Sequence, residues 1–502
     1  MHLKRLILFP ILFITSFTSD CNLLNPQIEK NNNLLLLLGA YSLYGASCVN
    51  GPDIWARDLT TSSSVCVAVD LVSSGTNVEV YKERSLFVNY DLVKFARDFD
   101  TITYPILIST FGAPSDVDGD GKVKILVMDI RDGATANSAY VAGYYDPVNY
   151  FPDNIFSRVR SNYAEVLYLD GKELIAAVNY DPNAFASTAA HEFQHLLRYP
   201  RMRNANQTDE LWINEGTSEV SSDIAGYGPQ NSRMDCYSGV NDSRCNDGIN
   251  GVSLIDWDSS NSDILKQYSY AYVFMRYLYD ISGTTNTQRQ TFFRETVIGA
   301  SGTRANSTGN LITLFRTAAP NFDSSLLGSQ NSDVFFRIFT LLSAQSFGLA
   351  NLTAVEQVTS DATAPTTINL SAALTRYPFS ANFTRIITNP VAPTTAKTSI
   401  KQGSTNFYNT GTPSISAGSS RKNYGRVTTG TTKGIFFWAD APSGLTTNLK
   451  YVQTDNEGTV PSIPQKPRSL KSVIESSTGP IPICGIEFTD DSVRTSESIP
   501  IE

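Results

Sequence analysis

Two histidines four positions apart carry the most specific chemistry available to this chain. They are His191 and His195, in the run His191-Glu192-Phe193-Gln194-His195. On a helix, positions four apart share one face, so both imidazoles can reach a single metal ion. Glu192 lies beside them, placed to take a proton from a water held at that metal.

The chain has three histidines in all, and His2 falls in a segment that reads as removable. Catalytic zinc takes three protein ligands and keeps one position open. With no third histidine left, the remaining ligand has to be a carboxylate on a following helix. Leu211-Trp212-Ile213-Asn214-Glu215-Gly216 offers Glu215, twenty positions after His195. Asp209 and Glu210 are rivals, but acids at a helix start are favoured by the dipole whatever the chemistry. Glu219 follows one turn beyond Glu215 on the same face; its plain reading is a solvated helix acid.

The His-Glu-x-x-His run followed by Trp-x-Asn-Glu-Gly (Trp212 to Gly216) resembles the two-histidine, one-glutamate zincins, the group that includes thermolysin. Within that group it is most similar to the hyicolysin-type secreted peptidases. The similarity extends upstream to Phe111-Gly112-Ala113-Pro114 with its Asp-rich loop, and downstream to the stretch from Gln267 to Tyr279. The resemblance implies a zinc metallopeptidase acting on protein or peptide substrates. It assigns zinc to His191, His195 and Glu215, the general base to Glu192, and a hydrogen bond to a zinc-binding imidazole to Glu219.

The oxyanion formed in such a hydrolysis needs a donor, which here must be tyrosine or arginine. Tyr268, Tyr272, Met275 and Tyr279 form a stripe at helical spacing, which by itself reads as core. The resemblance favours Tyr268, then Tyr270, and leaves Tyr227 and Tyr199 open. Trp-x-Asn-Glu-Gly also occurs in zinc aminopeptidases, but their Gly-x-Met-Glu-Asn element is missing from this chain. An endopeptidase is therefore expected. The rival from another class is a surface adhesin or binding lipoprotein on a zincin scaffold, against which the intact Glu192 counts.

Asp116-x-Asp118-x-Asp120-Gly121 has the alternating acids and glycine turn of half a calcium loop. Val127 stands where the loop's last acid belongs, so the choice is between a calcium-stabilised loop and a plain Asp/Gly turn.

Several elements have to position these groups. Asp181-Pro182 is a helix start, and Pro200 predicts an end near Tyr199 for the helix carrying His191 and His195. Thr208-Asp209 opens the helix of Glu215, which Gly226 and Gly228 close. Strands are expected at Val65 to Leu71, Val78 to Tyr81, Val123 to Ile130 and Glu165 to Leu169, with a helix from Asp91 to Phe99. The strand at Glu165 to Leu169 is the expected sheet edge, where an extended peptide could add. The fold class is α+β, a zincin-like catalytic unit over residues 41–350 with the substrate cleft between a small sheet and a helical lower half. Thr, Ser, Asn, Gly and Pro dominate much of residues 351–502, which read as a β-rich, sandwich-like C-terminal domain.

Lys4 and Arg5 precede an apolar run from Leu6 to Phe17, too short to span a bilayer, so residues 1–20 read as an export signal. Residues 21–40 read as a tether. Cys21 with Phe17 four residues before it resembles a relaxed lipobox, although Asp20 departs from the small residue expected there; lipid anchoring and plain secretion both stand. Cys48 with Cys66, and Cys236 with Cys245, can close two loops in an oxidising compartment. Cys484 pairs with Cys21 or is left over, which spacing does not decide. The net charge of −9 argues against a nucleic-acid partner.

Overall fold

The computed structural model describes residues 48–49 and 51–318, apart from 136–137, 240–244, 246–247, 250–251, 256 and 258–263. It also describes positions 331, 335, 338 and 342 and seven short strands between 380 and 483. Strands β1 (Ile54–Asp58) and β2 (Ser63–Val67) form an antiparallel pair. Next come β3 (Val69–Ser74), β4 (Val78–Glu83), β5 (Val123–Met128), β6 (Tyr140–Val141), β7 (Gly143–Tyr145) and β8 (Val166–Asp170). Five of them make one sheet in the order β3-β4-β5-β8-β7. Pairs β4–β5 and β5–β8 are parallel, while β3–β4 and β7–β8 are antiparallel.

Two readings of the strands need correction. The run Val65 to Leu71 is not one strand: the chain leaves β2 and enters a different sheet as β3, and Ala68 O between them accepts from Arg84 N. Period alone cannot report such a change of partner. Nor is β8 an edge, because β7 covers it. Three residues are too few to stand out as a strand, so the true edge was hidden in Gly143 to Tyr145.

Helices α1 (Leu92–Asp98), α2 (Tyr104–Phe111) and α3 (Glu173–Ala177) flank the sheet. The long α4 (Ala184–Asn204) crosses against β7 and β8. Its Phe185 and Phe193 lock into the rings of α1 and α2, with Phe95–Phe185 at 4.8 Å and Tyr104–Phe193 at 5.4 Å between centroids. Helix α5 (Leu211–Ile224) packs on α4, followed by α6 (Asn231–Ser238), α7 (Ile264–Ile281), α8 (Asn286–Val297) and α9 (Thr308–Ala318). This is the expected α+β arrangement of sheet, central helix and helical lower half.

Helix α4 does not stop at Tyr199. It runs through Pro200, which removes one backbone donor from the ladder. The Arg201 guanidinium donates to Leu197 O at 2.9 Å in the same turn and to Ala113 O at 2.5 Å across the gap to the loop after α2. These bonds, with burial of Pro200, outweigh the proline's local preference.

Cys48–Cys66 and Cys236–Cys245 are bridged as the loops suggested. Among the described residues no helix is long and apolar enough to cross a membrane. Segments 380–386, 424–427, 434–438 and 449–455 form a four-stranded antiparallel sheet, and Pro482–Ile483 pairs in parallel with β6. The expected signal, the tether with Cys21, and Cys484 lie outside the described residues.

Arg57 of β1 makes a two-pronged pair with Asp146, immediately after β7: Nε and Nη2 each donate at 2.9 Å, and both side chains are buried. This pair fixes the end of the sheet edge. Asp146→Ala removes both of these charge-assisted bonds from a buried guanidinium and should cost about 3–5 kcal/mol. Denaturant unfolding of the two proteins checks it; a difference within about 0.5 kcal/mol would mean that water replaces the carboxylate at no cost.

Candidate metal centre

Helices α4 and α5 meet along faces that carry polar groups into the interface. His191, Glu192 and His195 on α4, and Glu215 and Glu219 on α5, are all buried. His191 Nε2 lies 3.0 Å from His195 Nε2, and Glu215 Oε2 lies 3.2 Å from the first and 3.6 Å from the second. Burial pushes the His191 imidazole below its usual range, against the opposing pull of Glu215 and Glu219. Burial, and then the Arg198 charge, push His195 down to about 3. Both rings are therefore neutral near pH 7 and keep a lone pair to offer.

Two imidazoles and a carboxylate form a donor set suited to zinc. Bonds of about 2.0–2.1 Å at tetrahedral angles would set neighbouring donors about 3.3–3.4 Å apart. The three observed separations bracket that spacing, so the residues fit such an ion. Asp209 and Glu210, the rival acids, are occupied elsewhere. Asp209 accepts from Arg198 at 2.6 Å and Arg304 at 3.0 Å, while Glu210 accepts from Trp212 at 2.9 Å and Thr308 at 2.6 Å.

Glu219 is not a solvated acid. Its Oε1 is 3.9 Å from His191 Nδ1 and accepts from Arg233 Nη2 of α6 at 2.6 Å. The same guanidinium lies over the Tyr268 ring, 5.1 Å from its centre. Tyr268 thus sits one side chain away from the partner of His191. The other tyrosines are placed differently. Tyr227 hydrogen-bonds Thr103 at 2.5 Å, Tyr199 joins Tyr145 and Tyr150 in an aromatic cluster, and Tyr270 packs edge-on to Tyr237.

Two glycines make the close approaches. A Cβ on Gly143 would lie 2.9 Å from Thr188 Cγ2, 3.0 Å from Tyr168 O and 3.1 Å from Glu192 Cγ, so only glycine lets the sheet edge run against Glu192. A Cβ on Gly216 would meet Met275 Cγ at 2.6 Å and Ala271 O at 3.0 Å. That glycine lets α7 close on α5 next to Glu215. Asp170 N donates to Ala142 O, so by alternation Ala142 and Tyr144 turn their backbone groups to β8 and Gly143 and Tyr145 turn theirs outward.

In the Asp-rich loop, Asp116 and Asp118 are joined by Glu165, the three offering ligand atoms within 4.8 Å of one another. Asp120 is not part of that group. Lys124 donates to both Asp120, at 2.6 Å, and Asp118, at 2.5 Å, so one ammonium is shared between an acid of the group and the acid outside it.

No protein-family model matches the chain. It is 29% identical over 226 residues to the neutral metalloprotease ShpI of Staphylococcus hyicus, a match covering 44% of this chain and 49% of that protein. The chain spans about half the length of the curated relative it matches. Similarity to a neutral metalloprotease and the buried His-His-Glu group together support a metallopeptidase family.

Sequence reasoning missed Gly143 and Arg233. A glycine inside the apolar and aromatic run Tyr140 to Tyr145 was a usable signal of close backbone approach. Nothing local marks Arg233, whose carboxylate partner Glu219 is 14 residues away.

The histidine shifts have a consequence for the metal-free protein. His195 has a folded pKa far below its unfolded value of about 6.5, so its contribution is present above pH 6.5 and is lost as pH falls toward 3. At pH 5 the loss from this residue should be about 2 kcal/mol. Urea unfolding of the metal-free protein at pH 7 and pH 5 should show it, and His195→Gln should flatten the difference. Equal pH dependence in the two proteins would show that His195 is not protected from protons.

Proposed function

We propose that the chain is a zinc-dependent endopeptidase, exported and either secreted or lipid-anchored. The observation that carries the reading is the buried His191, His195 and Glu215 cluster with Glu192 beside it, at separations that fit zinc. An ion held there would act as a Lewis acid and lower the pKa of a water at the open position to about 7.

The chain's own groups supply the rest. The outward backbone groups of Gly143 and Tyr145 pair with an extended peptide and bring its scissile bond beside Glu192. Glu192 accepts the proton of the attacking water and delivers it to the leaving amine. Glu219, held by Arg233, keeps the His191 ring oriented. Tyr268 donates to the developing oxyanion, a role supported by its place beside the Arg233–Glu219 pair. The missing Gly-x-Met-Glu-Asn element supports cleavage within chains over removal of terminal residues. The two disulfides accord with export to an oxidising compartment.

Metal content and peptide turnover, measured together, test the assignment. Glu215→Ala should lose most of the zinc and Glu210→Ala should keep it. Glu192→Ala should keep zinc and fold yet cleave at least about a hundred-fold more slowly. A Glu192→Ala protein with parental zinc and parental rate would sink the mechanism. Loss of zinc from Glu210→Ala with retention in Glu215→Ala would move the third ligand.

Calcium at Asp116, Asp118 and Glu165 is a separate proposal, with structural consequences only. A calcium-selective chelator should then lower the melting temperature, since a ligand bound only by the folded state stabilises it. An unchanged midpoint would leave an Asp/Lys-paired surface turn.

A further inference from the structure

The two metal-facing histidines are backed by different chemistry. Behind His191 stands a carboxylate, Glu219, neutralised by Arg233. Behind His195 stand neutral groups: Ser218 Oγ is 3.3 Å from Nδ1, and the Asn214 side chain also reaches the ring. Ser218 Oγ in turn contacts Gln194 Oε1 and lies 3.0 Å from Asn214 O. Gln194 and Ser218 are fully buried between α4 and α5. We propose that Gln194 and Ser218 are positioning residues for His195, a neutral relay that holds its proton on Nδ1 and its Nε2 lone pair toward the metal position. The proposal rests on the zinc reading above and deepens it.

The direction of the relay follows from hydrogen-bond polarity. His195 Nε2 faces His191 and Glu215, so in the neutral ring that binds a cation through Nε2 the proton is on Nδ1. Its neighbour must then accept. A serine hydroxyl has one proton to give and can accept with its lone pairs. Gln194 Oε1 takes that proton in competition with Asn214 O at 3.0 Å, and with either acceptor Ser218 Oγ keeps a lone pair for Nδ1–H. Both groups are uncharged, so they orient the ring without adding a fourth carboxylate to a buried site that already holds Glu192, Glu215 and Glu219.

Gln194 has a second peculiarity. Its Nε2 is buried with no acceptor among the described residues. An unsatisfied buried donor is destabilising, and an apolar side chain of similar size would avoid the penalty. A glutamine kept only for packing has no need of its oxygen, whereas the relay uses it.

The test compares the full-length parent with Ser218→Ala, Gln194→Met, the double variant, Ser218→Thr and Asn214→Ala. Zinc dissociation constants come from competition with a chromophoric chelator, ring geometry from the visible spectrum of the cobalt(II) form, and stability from the melting temperature of the metal-free protein. Ser218→Ala and Gln194→Met should each weaken zinc by about ten- to a hundred-fold and shift the cobalt bands. The double variant should be no worse than the poorer single, and Ser218→Thr should recover most of the affinity. Metal-free Gln194→Met should melt at or above the parental temperature, which a purely structural glutamine would not allow. Parental affinity and spectrum in both single variants overturns the proposal, as do losses that multiply in the double variant. A loss confined to Asn214→Ala also overturns it. If Ser218→Ala does not fold, Gln194→Met decides alone. A parent that binds no zinc fails the function reading itself, and is recognised before any variant is compared.

Discussion

Three strong donor groups are forced together in a space that excludes water, and most of the fold is arranged to make that tolerable. His191, His195 and Glu215 come within 3.6 Å of one another at the contact of α4 and α5. A carboxylate in such a place, without a cation, would cost several kcal/mol. The surrounding structure does not relieve the crowding by moving the groups apart. It holds them from behind: Arg233 through Glu219, the Gln194–Ser218 pair at His195, and Arg198 with Arg304 clamping Asp209 at the entry to α5. The rings of α1 and α2 pack the opposite face of α4. Such a site is preorganised for a cation, and the organisation is carried by helices and not by loops.

Much of this was legible in the sequence. The spacing of His191 and His195 survives because a helix converts four residues into one turn, and nothing in the tertiary structure can alter that. Glu215 was set apart from Asp209 and Glu210 by their place at the helix start, and in the structure Asp209 is engaged by Arg198 and Arg304 and Glu210 by Trp212 and Thr308. What was not legible depended on contacts distant in sequence. The edge strand β7 is three residues long, below the length at which alternation can be counted, and its identity rests on pairing with β8. The extension of α4 past Pro200 depends on Arg201 and on burial. Asp116 and Asp118 are set apart from Asp120 by Glu165, which joins those two from more than forty residues along the chain.

Glycine has two jobs here that residue type alone does not announce. Gly216 and Gly143 both lie where two backbones, or a backbone and a side chain of α4, nearly touch. One sets the distance from α5 to α7, the other from the sheet edge to α4. In each case a single methyl group would widen a gap next to Glu215 or Glu192, so these positions act on geometry without any side chain of their own.

Helix α4 also behaves as a beam on two supports. Its first half rests on the sheet through Thr188 and Glu192 against Gly143 of β7, and its far end, past Pro200, is pinned by Arg201 to Ala113. Gly112 takes a φ of +87°, and a Cβ there would sit 2.8 Å from the Arg201 guanidinium, so the pin closes only over a glycine. The chain runs from that pin directly into Asp116 and Asp118. The Asp-rich loop and the helix that carries His195 are therefore tied to each other through a single guanidinium, although they are far apart in the chain.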